Sequence, residues 1–102
     1  GVGAPSSGTV DVIGVHVGDA ARSRLLTIAS GLRTLGHAVV LAPRGRGMRS
    51  QMRYANGLGA RYALILGDRD LEAGVATLRP LIGDGDQVEV PLDVAAISST
   101  IS

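Results

Sequence analysis

The chain contains no cysteine, no phenylalanine, no tryptophan and no lysine. Without cysteine, neither a disulfide framework nor a thiolate metal site can form, which fits a reducing compartment. Tyr54 and Tyr62 are the only aromatics, so the core has to be built from Val, Leu, Ile and Ala. Stacking platforms for unpaired bases are correspondingly scarce, and Tyr62 lies inside an apolar run that reads as core. No apolar stretch reaches membrane-spanning length, and the opening GVGAPSSGTV lacks the charged start and hydrophobic centre of a signal peptide.

What is present is a 102-residue chain, 45% hydrophobic, long enough for one small domain that needs neither disulfide nor metal. The Gly/Pro/Ser-rich opening reads as a linker or expression remnant over residues 1–10, with the folded domain over 11–102. The missing initiator Met supports a fragment. All ten Lys/Arg positions are arginine, a bias read mainly as that of the source genome. The net charge of +1 conceals a segregation. Ala20 to Gly67 holds eight arginines and no acid, whereas Asp68 to Ser102 holds two arginines against seven acids. Such a chain can present one positive face while staying nearly neutral overall.

Val10–Val17 is Val/Ile-rich and ends at Gly18, a first strand. Asp19 is placed to cap the helix that follows, in which Leu25, Ile28, Ala29, Leu32 and Leu35 share one face. Gly36 ends that helix. Ala38–Ala42 is apolar on both faces, as a buried parallel strand should be. After the break Pro43-Arg44-Gly45-Arg46-Gly47, a second helix points Met48, Met52, Ala55 and Leu58 inward and Arg49, Arg53 and Asn56 elsewhere. Arg61–Leu66 is a third, central strand. Asp68–Glu72 reads as an acidic turn or short helix, Gly74–Arg79 and Gln87–Val90 as strands joined through Gly83-Asp84-Gly85-Asp86. A short helix from Pro91-Leu92-Asp93 carries a thin pattern that predicts fraying. The expected fold is α/β, a three-layer sandwich with a mixed five-stranded sheet flanked by helices.

Catalytic chemistry finds little support. His16 and His37 are the only histidines, with no nucleophile motif and no carboxylate cluster suited to a metal. Asp84 and Asp86 are flanked by Gly and read as turn residues. Gly14-Val15-His16-Val17-Gly18 fails the dinucleotide-loop spacing, and Gly45-Arg46-Gly47 lacks a P-loop core. The basic cluster is stronger. Arg44, Arg46, Arg49 and Arg53 crowd a Gly-rich loop and a helix start, where the helix's partial positive charge makes arginine unfavourable unless an anion arrives. Arginine forks and helix amides together suit phosphates, and Gly45 and Gly47 let the main chain come close. A solvated, arginine-rich surface is the plain alternative. Glu72 could accept a hydrogen bond from a base amino group, or be a solvated turn acid.

The segment Gly45-Arg46-Gly47-Met48-Arg49-Ser50-Gln51-Met52-Arg53-Tyr54-Ala55 resembles the histidyl-tRNA synthetase pattern Gly-Arg-Ser-Leu-basic-basic-Gln-Met-basic-Tyr-Ala. Leu58-Gly59-Ala60-Arg61, the strand to Leu66-Gly67, Asp70-Leu71-x-x-Gly74-Val75 and Val90-Pro91-Leu92-Asp93 continue it in register. The resemblance is to the C-terminal anticodon-binding domain of class II aminoacyl-tRNA synthetases, closest to the histidine enzyme, and covers roughly 11–93. It implies tRNA contacts at Arg46, Arg49, Gln51, Arg53 and Glu72, to which electrostatics adds Arg44 and Arg79. Gln51 and Glu72 would face bases while the arginines neutralise phosphates. Gly47 in place of Ser removes a helix cap, and Ser50 in place of a basic residue removes a charge.

The resemblance further implies a cytoplasmic, non-catalytic module without cofactor or metal. Its parent would be an ATP- and Mg-dependent histidine–tRNA ligase, its partners the tRNA anticodon stem-loop and the parent's catalytic domain, with no membrane. Homodimerisation of the parent is left open. Two rivals stand beside this: a protein-interaction or dimerisation module on the same fold, and a nucleotide-binding regulatory domain with a pocket near Gly18 and Pro43.

Overall fold

The computed structural model describes residues 10–83 and 85–101. Apart from Val10, the expected linker lies outside the described residues, as does Asp84 of the expected turn. Runs of Val, Ile, Leu and Ala form β1 (Val12–Val17), β2 (Val39–Leu41), β3 (Tyr62–Gly67), β4 (Val75–Pro80) and β5 (Val88–Pro91). Four helices intervene: α1 (Asp19–Thr34), α2 (Met48–Leu58), α3 (Asp68–Ala73) and α4 (Val94–Ile101). The strands form one sheet in the order β2-β1-β3-β4-β5. β1 is parallel to β2 and β3, whereas β4 and β5 are added antiparallel, which makes the sheet mixed and β3 its central strand.

Alternation along the strands feeds two cores on opposite faces. Val12, Leu64, Leu66, Ala76, Leu78 and Val90 pack with Leu25, Ile28 and Leu32 of α1 and Ile97 and Ile101 of α4. Ile13, Val15 and Ala63 pack on the other face with Ala55 of α2. Helix, sheet and helix make the expected three layers.

The order of β1, β2 and β3 fixes where a site can form. The chain leaves β1 through α1 to β2 on one side, then returns through α2 to β3 on the other. The connections part between the C-terminal ends of β1 and β3, the crevice where open α/β sheets hold ligands.

Four local expectations are corrected. Asp19 does not cap α1; its N-cap is Gly18, with φ +109°, and the carboxylate serving the first turn belongs to Asp68, whose Oδ1 accepts the Ala21 N–H at 3.1 Å. Leu35 falls at the C-cap of α1 and is 55% exposed, because the helical register ends there; Ala21 joins the inward face instead. Met48 is 38% exposed in the first turn of α2, and Gln51 takes an inward position. Finally, α4 does not end as a fraying tail. Asp93 Oδ2 accepts the Ala96 N–H at 2.9 Å, His37 Nε2 and Ser98 Oγ share a 2.7 Å hydrogen bond, and Ile97 and Ile101 are buried.

The edge at β2 is covered by a side chain. Ala38 and Ala42 bond toward β1, so Val39 turns its carbonyl outward. Arg33 Nε and Nη2 both donate to it, at 3.0 and 2.8 Å, which blunts the edge against pairing with another chain.

Candidate nucleic-acid interface

The basic loop and α2 form one ridge. Gly45 turns the loop with φ +78°, a conformation L side chains rarely adopt. Gly47 is the N-cap of α2 and offers no side-chain cap, so the helix start is left open as the departure from Ser implies. Arg44, Arg46, Arg49 and Arg53 are all exposed. Arg49 and Arg53 lie one turn apart on the face of α2 opposite the buried Gln51 and Ala55. Among the described residues the one ion pair is Arg61 with Asp11, at 3.3 Å, so none of the four ridge arginines is neutralised by an acid. The Arg46 guanidinium lies over the Tyr54 ring, 5.6 Å from its centroid. Tyr54 is therefore a support for Arg46, with that ring face occupied, rather than a free stacking platform.

Gln51 is not where a base reader would be. It is 1% exposed and its amide is fully engaged. Oε1 accepts the His16 N–H at 2.9 Å, and Nε2 donates to the carbonyls of His16, at 2.8 Å, and Arg46, at 2.9 Å. The reason lies in the sheet. The pairing of β2 with β1 stops at Leu41 opposite Gly14, and Pro43 has no N–H to extend it. His16 would be left with an unpaired donor and acceptor, and the Gln51 side-chain amide presents to them what another peptide group would. The same amide holds the loop at Arg46. Gln51 is a positioning residue beneath the ridge.

Beside the ridge, Val17, Gly18, Met48, Ile65, Gly67, Asp68, Arg69 and Asp70 line an open pocket of about 480 Å³ at the crevice between β1 and β3. Its rim joins the starts of α2 and α3. Asp70 Oδ2 accepts the Gly67 N–H at 3.0 Å, which holds the acidic turn in place. Glu72, one turn beyond Asp68, is exposed on α3. Arg79 pairs opposite Ala63 and shares its sheet face with α2. It stands roughly 13 Å down the strand from Gly67, counting four residues at the rise of an extended chain. Arg79 is thus on the same face as the ridge but away from the pocket, on the part of the sheet that α2 leaves uncovered.

Sequence reasoning missed Met48, Asp68 and Arg69 as pocket residues. Arg69 had a signal, an arginine set between acids in the Asp68–Glu72 turn. Met48 had none, since its helical spacing matches that of an inward residue. The nucleotide-domain rival placed its pocket near Gly18 and Pro43; Gly18 lines the pocket found here and Pro43 does not.

Across residues 9–97 the sequence matches the family described as "Anticodon binding domain". The chain belongs to that family. This anticodon-binding domain is 47% identical over 93 residues to the histidine–tRNA ligase of Saccharopolyspora erythraea, a match covering 89% of the domain and 22% of the relative. Its fold superposes on histidyl-tRNA synthetase of S. aureus with a TM-score of 0.79 at 25% identity, covering 87% of this chain and 23% of that one. The RNA binding domain of threonyl-tRNA synthetase from Cryptosporidium parvum Iowa II shares the fold with a TM-score of 0.78 at 17% identity, covering 90% of this chain and 23% of that one. The domain spans about a fifth of the length of the curated relatives it matches. Among its described residues no helix is long and apolar enough to cross a membrane.

Proposed function

We propose that this anticodon-binding domain docks the anticodon arm of tRNA for a histidine–tRNA ligase, without being catalytic itself. The observation that carries the reading is the ridge of four exposed arginines without acidic partners among the described residues, set beside an open pocket at the crevice of the sheet. Arg46, Arg49 and Arg53 neutralise phosphates, with Arg44 and Arg79 adding charge on either flank. Glu72 faces a base and accepts from its amino group. Gln51 keeps the loop in position from below. The binding unit is assigned to residues 11–102 and uses no cofactor for this task. The parent would couple it in the cytoplasm to a catalytic domain that uses ATP and Mg to charge tRNA with histidine.

The test is binding of the domain to a histidine-tRNA anticodon stem-loop beside a scrambled-anticodon stem-loop, at two salt concentrations. Selective binding that falls steeply with salt supports the reading. No binding at low salt, or binding indifferent to both anticodon and salt, overturns it and favours a protein-docking module.

A further inference from the structure

Tyr54 and Tyr62 are the chain's only aromatic residues, and each carries an arginine over its ring. The distances to the ring centroids agree, 5.6 Å for Arg46 and 5.5 Å for Arg61, but the surroundings differ. Arg61 is an internal fastening. Its Nη1 reaches Asp11 Oδ1 at 3.3 Å, and the other Asp11 oxygen accepts the Ala38 N–H at 2.9 Å. Tyr62 packs against the core beneath α1. The charge of that arginine is answered within the fold.

Arg46 has no such answer. It is exposed, and among the described residues no acid pairs with it. It is nevertheless held at both ends. Its carbonyl accepts from Gln51 Nε2 at 2.9 Å, and its guanidinium lies over Tyr54, which packs against the core beneath α2. Arg44, Arg49 and Arg53 have no ring beneath them among the described residues. An arginine already held in this way loses little freedom when a ligand arrives, whereas a free one must first be ordered. The N–H groups at the edge of a guanidinium donate in its plane to phosphate oxygens, while its faces stack on flat π-systems. At Arg46 one side is given to Tyr54 and the exposed side is left to solvent.

We propose that Arg46, backed by Tyr54, is a stacking platform for one unpaired base of the RNA, which lies on the guanidinium away from the ring. This rests on the RNA reading of the α2 face. Base, guanidinium and Tyr54 ring form one stack, and the guanidinium edge still donates to a neighbouring phosphate. A chain without Phe or Trp thus builds its exposed π-surface from an arginine laid over the one tyrosine of the ridge. Every base has a π-face, so the platform selects unpaired over paired nucleotides without choosing among bases. Discrimination between anticodons stays with Glu72. Tyr54 is a positioning residue that acts through Arg46.

The test is a thermodynamic cycle with the 102-residue chain and the anticodon stem-loop. Arg46→Lys keeps the charge and loses the plane. Abasic substitution at each unpaired loop position in turn keeps the phosphate and loses the base. At one position each change should weaken binding about tenfold, and both together little more than either alone, because they remove the same stacking contact. Arg46→Lys should weaken matched and scrambled stem-loops alike and leave the salt slope unchanged, since no charge is lost. Tyr54→Leu should reproduce the loss and Tyr54→Phe should restore most of it, because the ring rather than the hydroxyl supports Arg46. If Tyr54→Leu fails to fold, the cycle on the exposed Arg46 decides. Arg61→Lys is the control and should bind as the unmodified chain does. Losses that simply add at every loop position would overturn the platform while the ridge stands, and so would Arg46→Lys binding as tightly as the unmodified chain. An unmodified chain that fails to bind at low salt would overturn the RNA reading and the platform with it.

Discussion

Asp68 Oδ1 accepts the backbone N–H of Ala21 at 3.1 Å, across 47 positions of sequence. The start of α1 is thus capped by the first residue of α3, and two of the helices that begin at the β1–β3 crevice are tied at their N-termini. The contact demands glycine at position 18, whose φ is +109° and whose missing Cβ leaves the space that the Asp68 carboxylate occupies. Asp68→Ala should cost about 1 kcal/mol in urea unfolding, the usual value of an N-cap. Gly18→Ala should cost more, because it combines a disfavoured backbone conformation with a clash. An Asp68→Ala midpoint equal to that of the parent chain would show that the bond carries no stability.

Gln51→Leu should destabilise the domain by about 2–4 kcal/mol, since it leaves the buried His16 N–H and C=O unpaired. It should also release the loop at Arg46 and weaken every RNA to a similar degree. A change in which anticodon is preferred, with stability intact, would return Gln51 to the role of base reader.

Arg49→Ala and Arg53→Ala should each weaken matched and scrambled stem-loops about equally. Each should lower the slope of log affinity against log salt by about one, because one phosphate contact and its released counterion are lost. Thermal stability should stay unchanged, since both side chains are exposed. An unaltered salt slope would remove that arginine from the phosphate set.

Glu72→Gln should alter discrimination between anticodons more than overall affinity. The amide can still accept one hydrogen bond but no longer repels phosphate or favours a base amino donor as strongly. Equal loss on every RNA would sink the base-facing role. A measurable change in unfolding would instead give this exposed residue a structural part.

Burial holds His16 below its ordinary value of 6.5, and the charges of Arg22 and Arg44 push it the same way against Asp19. The folded chain therefore keeps this ring neutral where the unfolded chain takes up a proton. Stability should fall as pH drops below about 6.5 and level off once the folded ring also titrates. His16→Asn should lessen that decline. The check is unfolding free energy from pH 8 to 5 for both chains; parallel curves would show that His16 does not contribute to the acid limb.

The fold was legible because its signals are local. The Val/Ile-rich runs, the 3.6-residue stripe of Leu25, Ile28, Ala29 and Leu32, and the Gly and Pro breaks each act within a few positions. The basic loop was legible for the same reason, as four arginines close together in sequence. Gln51 was misplaced because nothing in its neighbourhood announces that β2 stops opposite Gly14. Only the pairing of distant strands leaves His16 in need of an amide. The same holds for α4, whose thin pattern predicts fraying until Ile97 and Ile101 meet a core assembled from α1 and the sheet.

By itself, the sequence determined that this chain is an α/β domain with an arginine-rich start to its second helix, and which family it resembles. Those features depend on residue type and short spacing. The tertiary structure alone decided that Asp68 rather than Asp19 caps α1, that Gln51 supports the loop from below, and that Arg79 shares a sheet face with the ridge. It alone left His16 Nδ1 and Arg22 Nε buried without a hydrogen-bond partner among the described residues. Each of these depends on which backbone groups are left without a partner once strands far apart in sequence have paired, and that is settled only when the whole sheet has formed.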